Sequence, residues 1–172
     1  MKTLRIILAC LGIAAALSLR AAPAAAPRVE VVFDHPEKYT DIKDAYVPSD
    51  GGKQAIMDQI RDYVVSRATP MIPPGCKLKM TFTDIDLAGE YEPWRGPEWG
   101  MVRIIKPVYP PAFRFTYAVT DEAGRVLKQG SEFVRDMAFQ FRAVLDQTDG
   151  LRYEKSLLGD WIRSNLAGLK KA

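Results

Sequence analysis

Histidine and cysteine are almost missing from this chain. Its 172 residues contain one histidine, His35, and two cysteines, Cys10 and Cys76. A structural zinc site needs four clustered Cys and His ligands, so that class is excluded. Catalytic triads that use histidine are confined to His35, which sits between Asp34 and Pro36. No Gly-x-Ser-x-Gly elbow accompanies it, and the residue has the setting of a surface turn. A phosphate-cradling loop is missing too. Gly51-Gly52-Lys53 lacks the spaced first glycine and the Ser or Thr after the lysine. No full EF-hand pattern occurs, no repeat is visible, and no apolar run reaches the roughly 20 residues that span a bilayer.

What is present begins at the amino terminus. Lys2 and Arg5 precede an apolar run from Ile6 to Leu19, and Ala22-Pro23-Ala24 follows with small residues. A charged start, a short apolar middle and a small-residue exit are the marks of a secretory signal peptide. Cleavage is expected after Ala24, with Ser18 as the second choice. A lipoprotein reading of Ile7-Leu8-Ala9-Cys10 would leave an apolar stretch shorter than the roughly 7–15 residues a signal requires. The expected organisation is a signal peptide over 1–24, a disordered Ala/Pro segment over 25–28 and a single domain over 29–172. The expected address is the periplasm.

Cleavage changes the charge. The precursor has 24 basic and 21 acidic residues, net +3, with a pI near 8.8. Lys2, Arg5 and Arg20 fall in the signal with no acid. The mature chain therefore carries equal numbers of each sign, and these are interleaved without a basic stripe. A nucleic-acid partner is excluded on that ground. Only Cys76 survives cleavage, so no intramolecular disulfide forms even in an oxidising compartment. Cys76 shares parity with Leu78, Met80 and Phe82, which suits a small buried hydrophobe.

Periodicity predicts the elements. Val29–Phe33 is a short β-rich run, and residues 34–50 carry turn chemistry at Pro36, Asp41, Asp44, Pro48, Ser49 and Asp50. Ser49 or Asp50 is placed to cap a helix over about 51–68, in which Ile56, Ile60, Tyr63, Val64 and Arg67 form one stripe. Cys76 to Thr83 alternates strictly as a half-buried strand. Residues 88–100, with two prolines, three glycines and two tryptophans, are expected as a long exposed loop. Strands follow over 101–106, 111–120 and 125–134, the last two joined by a hairpin in which Gly124 takes positive φ. Residues 136–147 stay open between strand and helix. A final helix over about 151–169 carries Tyr153, Leu157, Leu158, Trp161, Ile162 and Leu166 on one face, with Lys170 and Lys171 at its negative end. The fold class is α+β: a four- to five-stranded, mostly antiparallel sheet with two amphipathic helices packed on one face.

Candidate chemistry gathers in the middle of the chain. Asp84, Asp86 and Glu90 could bind a hard cation or serve as an acid–base pair, and equally suit strand-end turn chemistry with a structural ion pair. Parity sharpens the question, because Asp84 and Asp86 continue the even-numbered series that Leu78, Met80 and Phe82 place in the core. Unpaired carboxylates there are costly. Either a bulge switches the phase near Thr83-Asp84, or the aspartates are paired, with Arg103 as the favoured donor. Tyr91, Trp94 and Trp99 could grip a sugar, a peptide or a partner, or fold down over one end of the sheet. No metal, no catalytic residue and no cofactor is assigned.

Val31-Val32-Phe33 followed by Asp34-His35-Pro36-Glu37-Lys38-Tyr39-Thr40-Asp41 resembles the opening of the exported proteobacterial proteins grouped as domain-of-unknown-function family 3016. Thr83 to Glu90, Val102-Arg103, the hairpin at Gly124, and Tyr153-Glu154-Lys155 with Leu158 and Trp161 are similar to its later landmarks. The resemblance implies a periplasmic address and one domain, and brings no catalytic residues to carry over. Two functions stay open. One is a non-catalytic binding or envelope accessory protein presenting the acidic turn and the Trp loop to a small ligand or an envelope protein. The other is a small carboxylate-dependent hydrolase acting on envelope glycan. Carboxylates converging across an open cleft would favour the hydrolase, and carboxylates tied to arginines or backbone amides would favour the binding protein.

Overall fold

The computed structural model describes residues 27–143 and 146–171. The expected signal peptide and the start of the Ala/Pro segment lie outside the described residues, as do Val144 and Leu145, on which a helical reading of 136–147 depended. Among the described residues six strands and two α-helices form: β1 (Val29–Phe33), α1 (Asp50–Ala68), β2 (Lys77–Asp86), β3 (Glu90–Tyr91), β4 (Arg103–Ile104), β5 (Ala112–Thr120), β6 (Val126–Arg135) and α2 (Arg152–Leu166). The main sheet has the order β1-β2-β5-β6. β1 runs parallel to β2, and the other two pairings are antiparallel. The fold is α+β.

Local chemistry explains most of these elements. Ser49 caps α1 by accepting from Gly52 N at 2.9 Å, while Asp44 accepts from the Ser49 N–H and hydroxyl. Ile56, Ile60 and Val64 turn inward, whereas Arg67 is exposed and lies over the Tyr63 ring. β2 alternates as its pattern requires, with Leu78, Met80 and Phe82 buried and Lys77 and Lys79 exposed. The alternation then breaks. Between Phe82 and Asp84 the register against β5 shifts, and Ile85 takes the buried side in place of the aspartates. The bulge was one of the two solutions open to the sequence, and it turns Asp84 and Asp86 onto the opposite face.

The other face of the sheet holds the core. Phe82, Phe115, Tyr117 and Val119 meet Ile60 and Val64 of α1 and Leu158, Trp161 and Ile162 of α2. Phe115 and Tyr117 both make edge contacts with the Trp161 ring at 4.9 Å. Both helices therefore lie on one face.

Two expectations need correction. Residues 88–100 are not simply exposed: Ala88, Tyr91 and Glu92 are buried. The strand expected over 101–106 shrinks to β4, which pairs with β3 in a separate two-stranded sheet. A fully enclosed carboxylate explains the folding down. Glu92 is held by Arg95, Lys106 and the Tyr109 hydroxyl, and the two cations keep it below the usual carboxylate range. Residues 139–141 form a 3-10 turn whose Phe139 is buried against Tyr153.

Candidate functional site

Two loops, 34–50 and 87–110, converge at the end of β2. Arg103 joins them. Its guanidinium donates to Asp41 Oδ2 at 2.6 Å and Oδ1 at 3.3 Å, to Lys43 O at 2.9 Å and to Gly89 O at 2.9 Å. Its plane lies over the Tyr91 ring, 4.6 Å from the centroid. Gly89 has φ +83°, and a Cβ there would come within 2.7 Å of Ile104 O, so only glycine allows this approach. Asp41 is 3% exposed and fully partnered by Arg103 and the Lys43 N–H.

The expected Asp86–Arg103 pair does not form, because Asp41 occupies the guanidinium. Asp84 accepts instead from the Thr40 N–H at 2.7 Å and the Thr40 hydroxyl at 2.9 Å. Asp86 meets Asp41 through a backbone bridge. Partial burial first, and then the nearby Asp41 charge, push the Asp86 carboxyl up to about 6. Glu90 is half-buried and accepts from the Tyr91 N–H. Trp94 is 72% exposed, while Trp99 is half-buried with Arg95 over its ring. The seven candidate residues thus split. Tyr91 and Arg103 share one site, Asp84 and Asp86 belong to the uncovered side of the sheet, and Trp94 faces solvent.

A residue the sequence reading passed over completes the site. Glu154, on the first turn of α2, is 1% exposed. Its Oε1 accepts from the Ala88 N–H at 2.6 Å, and its buried Oε2 has no hydrogen-bond partner. Burial pushes this carboxyl up to about 7, against the smaller opposing pull of the Ala88 amide and Arg103. The signal was in the sequence, since Glu154 lies at i−4, i−7 and i−8 from Leu158, Trp161 and Ile162, at the amino-terminal end of the apolar stripe.

Glu154 borders a cavity of about 310 Å³ with Lys43, Asp44, Tyr91, Arg103 and Leu87. Such a pocket, lined by apolar side chains such as Ile56, Leu87 and Leu151 together with a few charged groups and one perturbed carboxyl, has the make-up of a binding site. Among the described residues no three carboxylates, histidines or thiols converge as metal ligands.

The family model described as protein of unknown function (DUF3016) matches residues 27–164. The chain belongs to this family. The match takes in both loops, the bulge and most of α2, so the Arg103–Glu154 pocket lies wholly inside the DUF3016 region. Neither a curated protein nor a solved structure matches the chain.

Proposed function

We propose that this DUF3016 protein is an exported, periplasmic binding protein of the cell envelope, without catalytic activity, and that the pocket beside Arg103 takes a small polar ligand. One observation carries the reading: Glu154, a residue that lines that pocket, is a buried carboxyl with one oxygen left unpartnered. A buried polar atom without a partner costs about 1–3 kcal/mol, and a ligand group that bonds Oε2 recovers that loss. Near neutral pH the protonated carboxyl donates to a ligand oxygen, and the ionised form accepts from a ligand N–H or O–H. Arg103 is committed to the loops and acts by shaping the pocket, while Lys43 supplies positive charge at its edge. No helix among the described residues is long and apolar enough to cross a membrane.

The alternative reading is a carboxylate-dependent hydrolase acting on envelope glycan, and it draws on the raised Asp86 and Glu154 carboxyls. The two belong to opposite sides of the sheet. Asp86 turns to the uncovered side beyond the bulge, and Glu154 projects from α2 on the covered side. A glycosidase pair must flank a single bond, and this placement favours binding.

Native mass spectrometry of protein recovered from the periplasm tests the proposal. The expected result is a mature chain beginning at Ala25 with a retained small molecule, which Glu154→Leu loses. An unprocessed chain or a lipid adduct on Cys10 refutes export. An empty pocket, together with sugar release from purified peptidoglycan that Asp86→Asn abolishes, supports the hydrolase instead.

A further inference from the structure

β6 is the outer strand of the main sheet, and no strand among the described residues pairs with its free edge. It runs ten residues, against five for β1 at the opposite edge. Long unpaired edges recruit other strands, and natural sheets blunt them with short length, proline, bulges or charged side chains, of which β6 has Lys128 and Glu132. β6 contains no proline, and its single register shift lies at the hairpin end.

We propose that β6 is a homodimer interface: two copies of the chain pair antiparallel through this strand, about a two-fold axis at Gly130, and merge their sheets into one. The backbone is arranged for it. Asp136 N–H donates to Pro111 O at 3.2 Å, and the register is unbroken from Ala112↔Arg135 to Val119↔Lys128. Even-numbered residues of β6 therefore turn their N–H and C=O groups toward β5, and odd-numbered ones turn theirs to the free edge. An axis at Gly130 sets Gln129 against Ser131 of the second copy, and these exchange both backbone bonds. Gly130 then faces itself as a non-hydrogen-bonded pair, the closer of the two kinds.

The side chains favour this axis over those two residues to either side. On the helix-bearing side it sets Lys128 opposite Glu132 of the second copy, twice over by symmetry. Glu132 is half-buried and has no ion pair within its own chain among the described residues. On the uncovered side Phe133, 48% exposed, lies along the same seam. Phe133 is already held by Arg114 at 3.9 Å and Arg135 at 5.3 Å, so little side-chain freedom is lost on pairing. Moving the axis by two residues either way puts Lys128 or Glu132 opposite itself, which is destabilising. A Cβ at position 130 would approach the Tyr117 ring to 2.8 Å, so the glycine also keeps the strand thin at the axis. Pairing β6 with β1 of another copy would be head-to-tail and would not close, whereas the two-fold does.

Sedimentation velocity of the purified protein at high micromolar concentration tests this. The wild type is expected at twice the monomer mass. Ser131→Pro removes an N–H that faces the free edge, leaves the β5 ladder intact, and is expected to give a monomer with an unchanged circular dichroism spectrum. Glu132→Lys should weaken association at least about tenfold, and the swap Lys128→Glu with Glu132→Lys should restore it, which separates pairing from folding should the proline variant not fold. A wild type that stays monomeric at every concentration overturns the proposal, as does a dimer untouched by both Ser131→Pro and Glu132→Lys.

Discussion

Glu154→Gln should make the protein's stability less sensitive to pH, and the effect is large enough to measure by urea unfolding. Glu154 is almost completely buried, and its carboxyl rises from an ordinary 4.5 to about 7 on folding. The folded state therefore holds a proton that the unfolded chain has released. The stability this contributes is fully present below about pH 4.5 and is lost as pH rises through 7. With 1.36 kcal/mol for each pH unit of displacement, the loss between pH 4.5 and pH 8 is about 3 kcal/mol. Glutamine keeps the oxygen that accepts from Ala88 N–H and has no proton to lose. Its extra N–H group adds an offset that does not depend on pH. The informative quantity is the difference between variant and wild type, taken at pH 5 and again at pH 8. That difference should move in favour of Glu154→Gln by about 2.5 kcal/mol, a midpoint change on the order of 1–2 M urea. The partial burial of Asp86, which acts in the same direction, is common to both proteins and cancels. An unchanged difference at the two pH values would mean that the Glu154 carboxyl is not desolvated, and the pocket assignment would fall with it.

Three further outcomes follow from the packing. Trp161→Ala and Phe115→Ala each remove an aromatic ring from the shared cluster and should cost about 3–5 kcal/mol by thermal or urea unfolding; an unchanged melting temperature would place the ring outside the core. Arg103→Ala leaves Asp41 buried without its cation and should cost about 3–5 kcal/mol. The Asp41→Asn, Arg103→Ala double mutant should lose less than the sum of the singles in the same assay, and additive losses would refute direct coupling. Asp84→Ala releases the Thr40 N–H and hydroxyl and should cost about 1–3 kcal/mol, whereas Asp86→Asn should leave neutral-pH stability equal or higher, since it removes a half-buried charge beside Asp41.

The sequence by itself determined whatever depends on near neighbours. The apolar stripe of α1, the Ser49 cap, the alternation of β2 and the tight turn at Gly124 each involve residues a few positions apart, where spacing and backbone preference suffice. Parity even located the trouble at Thr83-Asp84, since a period-two pattern cannot carry two aspartates into a core without breaking. Tertiary structure decided how that conflict resolved. The bulge frees Asp84 for Thr40, 44 residues away, and Arg103 finds Asp41 across 62 residues rather than Asp86. Both aspartates were available carboxylates, and only the parallel seating of the 34–41 segment beside β2 brought Asp41 to the guanidinium. Glu154 shows the same division within one residue. Its place on the buried stripe of α2 was legible, because helical geometry is local. The unpartnered oxygen was not, because that depends on how the 87–110 loop closes over it, and a loop's path is set by distant contacts such as Arg103 and Glu92 rather than by its own composition.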